Sequence, residues 1–548
     1  MWGILLWLAL GSLADAEIPT PAPRTFCAVY LEFRQDLDSV PGLAELSDLD
    51  LSVAKDRLRD LYNGVKGKRG ARTSSERSIR RPMLMSALSH AYRAFDQQID
   101  TADAPTLTRL AWIFHGRYYL KGQEREDAFA YQAMKRIRTR ALTLTTGWTP
   151  KAIRKFAYLF MNREFGSPLL VEHLARVATP LVKEFDLPDL IDLLEIVVGA
   201  DRHYQGLYEA VATRFKNYSF AEAPSLTADS GGQPTRQPRE IPEDLLRLAR
   251  AYAKRGRLDR IQDTLSLRAQ EFAHQFNHPQ SLELIELFSF ANLRPPFLFE
   301  RFIELWRSDT ESQWTCNELR HTLMSVFRMR AFDPEFASWA EEKASACMTR
   351  DLDVTLEDLA GITYALVGAG FEEQAETIRS VLFIRAIASP GDVTRKAAGT
   401  LKLIATAYFV RHKSVPEGWQ YFIDAPTEND IHTSDYQKEV RKLLQKMRIP
   451  FETEVPFGNY RIDFVVTWRG RRIALEADGP THFLNRGLRV DGATQFRTET
   501  LEEAGIPVAS LRWVDWVRCA DDACRERLIV TVLMQAELRA TKPATAVP

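Results

Sequence analysis

The chain has 548 residues, of which 45% are hydrophobic and 26% charged, and its formal net charge is −1. That length allows three or four domains or a long repeat array. The near-neutral balance excludes a generic polyanion binder, so any nucleic-acid surface must be a local patch. Five cysteines, Cys27, Cys316, Cys347, Cys519 and Cys524, form no CxxC pair and no cluster with histidine, which argues against both a zinc site and a disulfide framework.

Residues 1–16 read as a signal-like or targeting segment. Trp2 to Ala14 is apolar and ends in Ala14-Asp-Ala16, an A-x-A cleavage pattern. The run is too short for a comfortable membrane helix and lacks a preceding basic residue. A signal peptide, another presequence and a misassigned start all stay open. Residues 17–100 are expected to be partly helical. Within them, 66–81 are basic and Ser-rich like an organellar transit segment, although the acids in between argue against one continuous transit peptide. No later stretch reads as a membrane span, so no membrane is expected for the mature protein.

From about residue 50 to 425, apolar residues recur at helical spacing. Thr149-Pro, Leu187-Pro, Ile241-Pro, His278-Pro, Cys316-Asn-Glu and Leu356-Glu-Asp each open such a run, and proline or acids in a first turn favour helix starts. Ile153 and Leu190, Leu245 and Leu282, and Leu282 and Leu319 stand 37 residues apart, while Leu319 and Leu359 stand 40 apart. Residues 221–240, rich in Pro, Ser, Gly and Thr, interrupt the series as a disordered insertion. The period fits a two-helix repeat. The expected fold class is therefore mainly α: an α-solenoid of roughly 37-residue two-helix repeats over 101–220 and 241–428, followed by a small C-terminal α/β domain over 429–539 and a disordered tail over 540–548.

The pattern past Asn429 changes to a helix over Thr433–Met447, strands Phe451–Val455, Tyr460–Trp468 and Arg472–Ala477, a helix over Leu488–Ala504, a strand Val508–Trp513 and a final helix over Ala520–Leu538. Arg469-Gly470 reads as a hairpin loop, which places Asp463 opposite Glu476. Asp478 follows on the same face as Glu476 by strand alternation. Such a carboxylate cluster needs a cation, a shared proton or basic neighbours. Two local excesses of arginine and lysine are candidate RNA contacts. One comprises Arg117, Lys135, Arg136, Arg138 and Arg140. The other comprises Arg461, Arg469, Arg471, Arg472, Arg486, Arg489 and Arg497 around the hairpin and beyond it.

Tyr460-Arg-Ile-Asp-Phe-Val-Val, Leu475-Glu-Ala-Asp-Gly-Pro-Thr-His-Phe483, Thr500-Leu-Glu-Glu-Ala-Gly-Ile-Pro-Val and Trp513-Val-Asp-Trp516 resemble the hallmark blocks of a RAP domain. The resemblance covers about residues 435–520, and the 37-residue unit upstream is similar to the heptatricopeptide repeats found beside such domains. It implies a fold resembling the PD-(D/E)xK nucleases. Asp463 and Glu476 then occupy the two nuclease carboxylate positions and the candidate metal positions, Asp478 stands where such nucleases carry lysine, and His482 could serve as a base. No cofactor is required by this reading, although Mg²⁺ would suit the oxygens if the site were nuclease-active. The implied role is an organellar, mitochondrial RNA-binding protein, without turnover, acting in RNA stability, rRNA or transcript processing or assembly of the organellar ribosome. Its implied partners are organellar transcripts or rRNA and organellar ribosomal proteins. A Mg²⁺-dependent RNA endonuclease and a structural subunit of an organellar ribosome are the alternative roles, and a plastid reached by a signal-peptide-led route is the alternative location.

Overall fold

The structure, a computed structural model, describes residues 99–118, 128–160, 167–200, 204–218, 241–309, 312–350, 353–424, 434–485, 487 and 489–541. The signal-like segment, the basic stretch 66–81 and the insertion at 221–240 lie outside the described residues. What is described is mainly helical with a small C-terminal sheet region. No described helix is long and apolar enough to cross a membrane. The chain divides into two compact units, residues 1–214 and 215–548.

The first unit holds helices α1 (Ala104–Tyr118), α2 (Ala128–Thr143), α3 (Pro150–Leu159), α4 (Pro168–Ala178) and α5 (Leu187–Gly199), and most of α6 (Gln205–Lys216). Thr149 caps α3 by accepting the Ala152 amide, and Pro150 opens it without losing a needed donor. Helices α1, α3 and α5 pack on one another in order, and α2 packs on α4. Arg154 of α3 bridges to Asp189 (2.9 Å) and Asp192 (3.3 Å) of α5.

The second unit repeats the scheme with α7 (Ile241–Ala253), α8 (Gln262–Glu271), α9 (His278–Phe290), α10 (Leu298–Ser308), α11 (Cys316–Arg328), α12 (Pro334–Arg350), α13 (Leu356–Gly368), α14 (Glu372–Ala388), α15 (Arg395–His412) and the short α16 (Gln420–Asp424). All six helix starts expected from the sequence are helix starts here. Asn277, Thr315 and Thr355 form capping boxes with Gln280, Glu318 and Asp358, each satisfying two orphan amides. The odd helices α7 to α15 pack in order as one layer, and α8 to α14 as another. An arginine again links neighbouring first helices, Arg250 to Glu283 (2.5 Å) and Arg320 to Glu357 (2.7 Å).

The cysteines correct the sequence reading. Cys316 and Cys347 form a disulfide with Cα atoms 5.4 Å apart, and Cys519 pairs with Cys524. The first bridge ties the start of α11 to the end of α12. An antiparallel helix pair brings those ends together whatever the local spacing motif, so scanning for CxxC could not find it.

The C-terminal domain follows the expected element order, with a short two-stranded pair added before the crossover helix and a short helix starting at Trp513, where the last strand was expected to end. It comprises α17 (Asp435–Lys446), β1 (Phe451–Phe457), β2 (Tyr460–Trp468), β3 (Arg471–Asp478), β4 (Phe483–Leu484), β5 (Arg489–Val490), α18 (Gly492–Glu503), β6 (Val508–Arg512), α19 (Trp513–Trp516) and α20 (Asp522–Thr541). The final helix runs into the segment expected to be disordered. Arg469 and Gly470 both have positive φ, 49° and 80°, as a two-residue I′ turn requires. Trp468 pairs with Arg471, so the predicted register is the observed one. The helix expected from Leu488 starts later, at Gly492, because Arg489 and Val490 pair with Leu484 and Phe483 instead.

The sheet order is β1-β2-β3-β6, with β6 parallel to β3. One face packs Phe464, Val466, Ile473 and Leu475 against α17, α19 and α20 through Val440, Leu444, Trp516, Ile529 and Leu533. The other packs Ile462, Val465, Ala474 and Val508 against Leu501 of α18. Helix α18 is held from its far side by α11, α13 and α15. Arg411 reaches Glu503 at 2.9 Å, the Tyr364 and Phe496 rings meet edge-on at 5.5 Å, and Asn485 exchanges two hydrogen bonds with the Arg294 backbone. A Cβ on Gly492 would stand 2.1 Å from the Phe327 carbonyl oxygen, so only glycine allows this approach. Gly492→Ala is expected to destabilise the second unit by about 1–3 kcal/mol, as overpacking against backbone does. Gly391→Ala, with nothing within 4 Å of its Cβ, should leave the melting temperature unchanged. Thermal melts of the two variants check the contrast.

Candidate functional site

The site is built where β2 and β3 part. Their pairing runs from Trp468↔Arg471 to Phe464↔Leu475. At the next position Asp463 Oδ2 accepts the Ala477 amide (2.8 Å), replacing a ladder bond with a side-chain one. On the other edge, the β1–β2 pairing skips Glu454 and Asp463, and Glu454 has φ +54°. Alternation breaks here: Ile462 packs with Val465, while Phe464 belongs to the opposite face.

The break redirects Asp463. The expected common face holds for Glu476 and Asp478, which both meet Arg497 of α18. Asp463 instead receives a hydrogen bond at Oδ1 from Gln437 of α17 (2.7 Å), on the other side of the sheet. It does not pair with Arg461, which reaches the Glu454 carbonyl, or with Arg472, which pairs with Glu452.

Glu476 and Asp478 are 1% and 2% exposed, so their charges require compensation. Arg497 Nη2 lies 3.3 Å from Glu476 Oε2 and 3.1 Å from Asp478 Oδ1. Ser510, placed beside Glu476 by the parallel register, donates its hydroxyl to Asp478 Oδ2. Both Asp478 oxygens are thus engaged. Neither Glu476 oxygen accepts a hydrogen bond of normal geometry, although the Asp463 amide faces it. Burial first, and the charges of Asp463 and Asp478 second, push the Glu476 carboxyl up to about 8, against the pull of Arg497. Burial also raises Asp463 above the usual carboxylate range. Burial works against the Arg497 charge, but Glu476, Asp478 and Asp463 outweigh it and raise the guanidinium's pKa.

This donor set does not fit a divalent metal. Asp463 spends its oxygens on Ala477 and Gln437, Asp478 on Arg497 and Ser510, and a guanidinium already sits between the remaining acids. Among the described residues, no three His, Cys, Asp or Glu side chains are grouped to hold an ion. His482 lies in a short 3₁₀ turn and bonds Thr494 through Nδ1 (3.0 Å). It borders a cavity of about 470 Å³ lined also by Gln437, Asp463, Arg497 and Trp513.

The arginines separate by environment. Arg497, read from sequence as an RNA contact, is an internal counterion. Arg469 and Arg472 are exposed and pair loosely with Glu537 and Glu452, and Arg471 and Arg489 are exposed. In the first unit Arg136 pairs with Asp100, Arg140 donates to the Ala102 carbonyl, Lys135 lies over Tyr131, and Arg138 is half-buried. Arg117 falls within α1, and Arg486 lies outside the described residues. Gln437 and Ser510 were missed in the sequence. Gln437 is recognisable only as the third residue of a capping box opened by Ser434, and Ser510 only once the parallel register is known. Compared with models of known protein families, the chain matches none.

In the unfolded chain Glu476 titrates near the ordinary glutamate value of 4.5, and burial in the fold pushes it up to about 8. Below the lower value both states hold the proton and the group contributes nothing. Between the two only the folded state holds it, so stability falls as pH rises and the full penalty is reached above the upper value. Glu476→Gln keeps the shape and cannot ionise. Its melting temperature should match wild type near pH 4.5 and exceed it at pH 8, a gain on the order of 3–5 kcal/mol. Arg497→Met should lose about 3–5 kcal/mol at pH 7, because the buried Asp478 carboxylate loses its counterion while Glu476 is held mostly as the neutral acid.

Proposed function

We propose that this protein is a non-catalytic RNA-binding protein of an organelle, the mitochondrion, built as an α-solenoid carrying a RAP-like domain. The observation that carries the reading is Arg497. A nuclease-like arrangement of acids is filled by a guanidinium from the same domain, so its charge is spent on stabilising the fold. The element order α-β-β-β-α-β-α and the motif blocks quoted above support the domain assignment, and the two ordered helix layers support the solenoid.

The RNA surface is assigned to the exposed hairpin cations Arg469, Arg471 and Arg472 with Arg489, and to the α2 face around Lys135 and Arg138. The hairpin ion pairs are solvent-exposed and worth at most about 1 kcal/mol each, so phosphates can displace the acids readily. The roles that follow are stabilising or processing transcripts or rRNA, or supporting ribosome assembly alongside ribosomal proteins.

The test is a binding and cleavage assay on single-stranded RNA with and without Mg²⁺. Wild type and Asp463→Asn/Glu476→Gln should both bind and neither should cleave. Arg469→Ser/Arg471→Ser/Arg472→Ser should weaken binding of all sequences alike, and each lost phosphate contact should lower the salt slope by about 1. Metal-dependent cleavage that disappears in the double variant would establish the endonuclease reading instead.

A further inference from the structure

A second cavity, of about 520 Å³, lies between the first-helix layer of the second unit and the α/β domain. It is bordered by α9, α11, α13, β2 and α18, and meets the carboxylate cavity only at Thr481, His482 and Arg497. Its volume is that of a small-ligand site, about 300–1,000 Å³. Phe290, the last residue of α9, lines it with its side chain 71% exposed. A ring so open to water in a wall otherwise packed with Phe327, Tyr364 and Tyr460 offers a free stacking face.

The polar groups decide what could stack there. His321 Nδ1 pairs with Glu286 at 2.6 Å, Arg328 with Asp491 at 3.6 Å, and Arg497 with Glu476 and Asp478. Both arginines of the lining therefore have their acids, and the interior does not attract phosphate. What remains are fixed donors and acceptors: the Thr494 hydroxyl, the His482 ring, whose Nε2 has no partner among the described residues, and the Arg328–Asp491 pair. A flat, uncharged heterocycle with hydrogen-bonding edges satisfies both the ring and these groups.

We propose that this cavity receives one unpaired nucleobase of a bound single-stranded RNA, stacked on Phe290 with its edge toward His482, Thr494 and the Arg328–Asp491 pair. The inference rests on the RNA-binding reading above and adds a site to it. The two-sided wall ties recognition to the docking of α18, since neither the helical layer nor the α/β domain forms the cavity alone.

The experiment uses the full chain and an unstructured RNA of about twelve nucleotides, alongside a set carrying an abasic ribose at each position in turn. Affinity is followed by anisotropy over a salt series. Phe290→Ala should weaken binding of the intact RNA about 5- to 30-fold, as loss of one stacked base does, without changing the salt slope. One abasic position should produce the same loss in wild type and no further loss in Phe290→Ala. Met324→Trp, which fills the cavity from α11, should reproduce the loss at an unchanged melting temperature. If both variants bind every RNA like wild type while Arg469→Ser/Arg471→Ser/Arg472→Ser binds less tightly, the cavity assignment fails and RNA binding stands. A loss accompanied by a lower salt slope would make the cavity a phosphate site and overturn the base assignment. No binding by wild type overturns both readings.

Discussion

A single buried guanidinium holds the C-terminal domain in its arrangement. Three acids emerge from two adjacent strands, and two of them are almost fully removed from water. Carboxylates so placed repel one another and resist ionisation. Arg497 offsets that repulsion at 3.1 and 3.3 Å, and the raised pKa of Glu476 absorbs the rest as a bound proton. Surface pairs in the same domain, such as Lys438–Asp435, carry a small fraction of this energy because water screens them.

Arg497 can reach the acids only because of what surrounds it. A parallel β3–β6 pair requires a crossover, and α18 is that crossover. Its inner side carries Arg497 and Leu501 to the sheet. Its outer side meets α11, α13 and α15, with Gly492 against the Phe327 carbonyl and Glu503 against Arg411. The helical layer thus steadies the element that delivers the counterion. The layer is itself regular: capping boxes set three of its helix starts, and side-chain pairs, Arg250–Glu283, His321–Glu286 and Arg320–Glu357, bridge each first helix from α7 to α13 to the next.

Much of this was legible in the sequence. Pro and acids in first turns marked the helix starts because those residues satisfy or tolerate orphan amides, which is a local effect. Arg469-Gly470 marked the hairpin because a two-residue loop needs positive φ twice. The site was legible only in part. Alternation predicted a common face for Glu476 and Asp478, but the irregular backbone at Glu454 and Asp463 turned Asp463 toward Gln437. Arg497 was read as an RNA contact because charge alone does not say which way a helix faces. Its direction is fixed by the β3–β6 register and by the packing of α18 on both sides, and both are long-range. The Cys316–Cys347 bridge and the docking of the α/β domain on the helices were hidden for the same reason.

The placement of the acids also dictates an order of assembly. The helix pairs make contacts between near neighbours in sequence and can pack as the chain leaves the ribosome. The β2–β3 hairpin emerges with Glu476 and Asp478 before their main partners exist, since Arg497 and Ser510 are both translated later. Until residue 510 is free of the exit tunnel, Glu476 and Asp478 lack the partners that hold them in the folded domain. The already folded helices α11, α13 and α15 then offer α18 a surface on which to settle, so the earlier part of the chain acts as the template on which the last part closes.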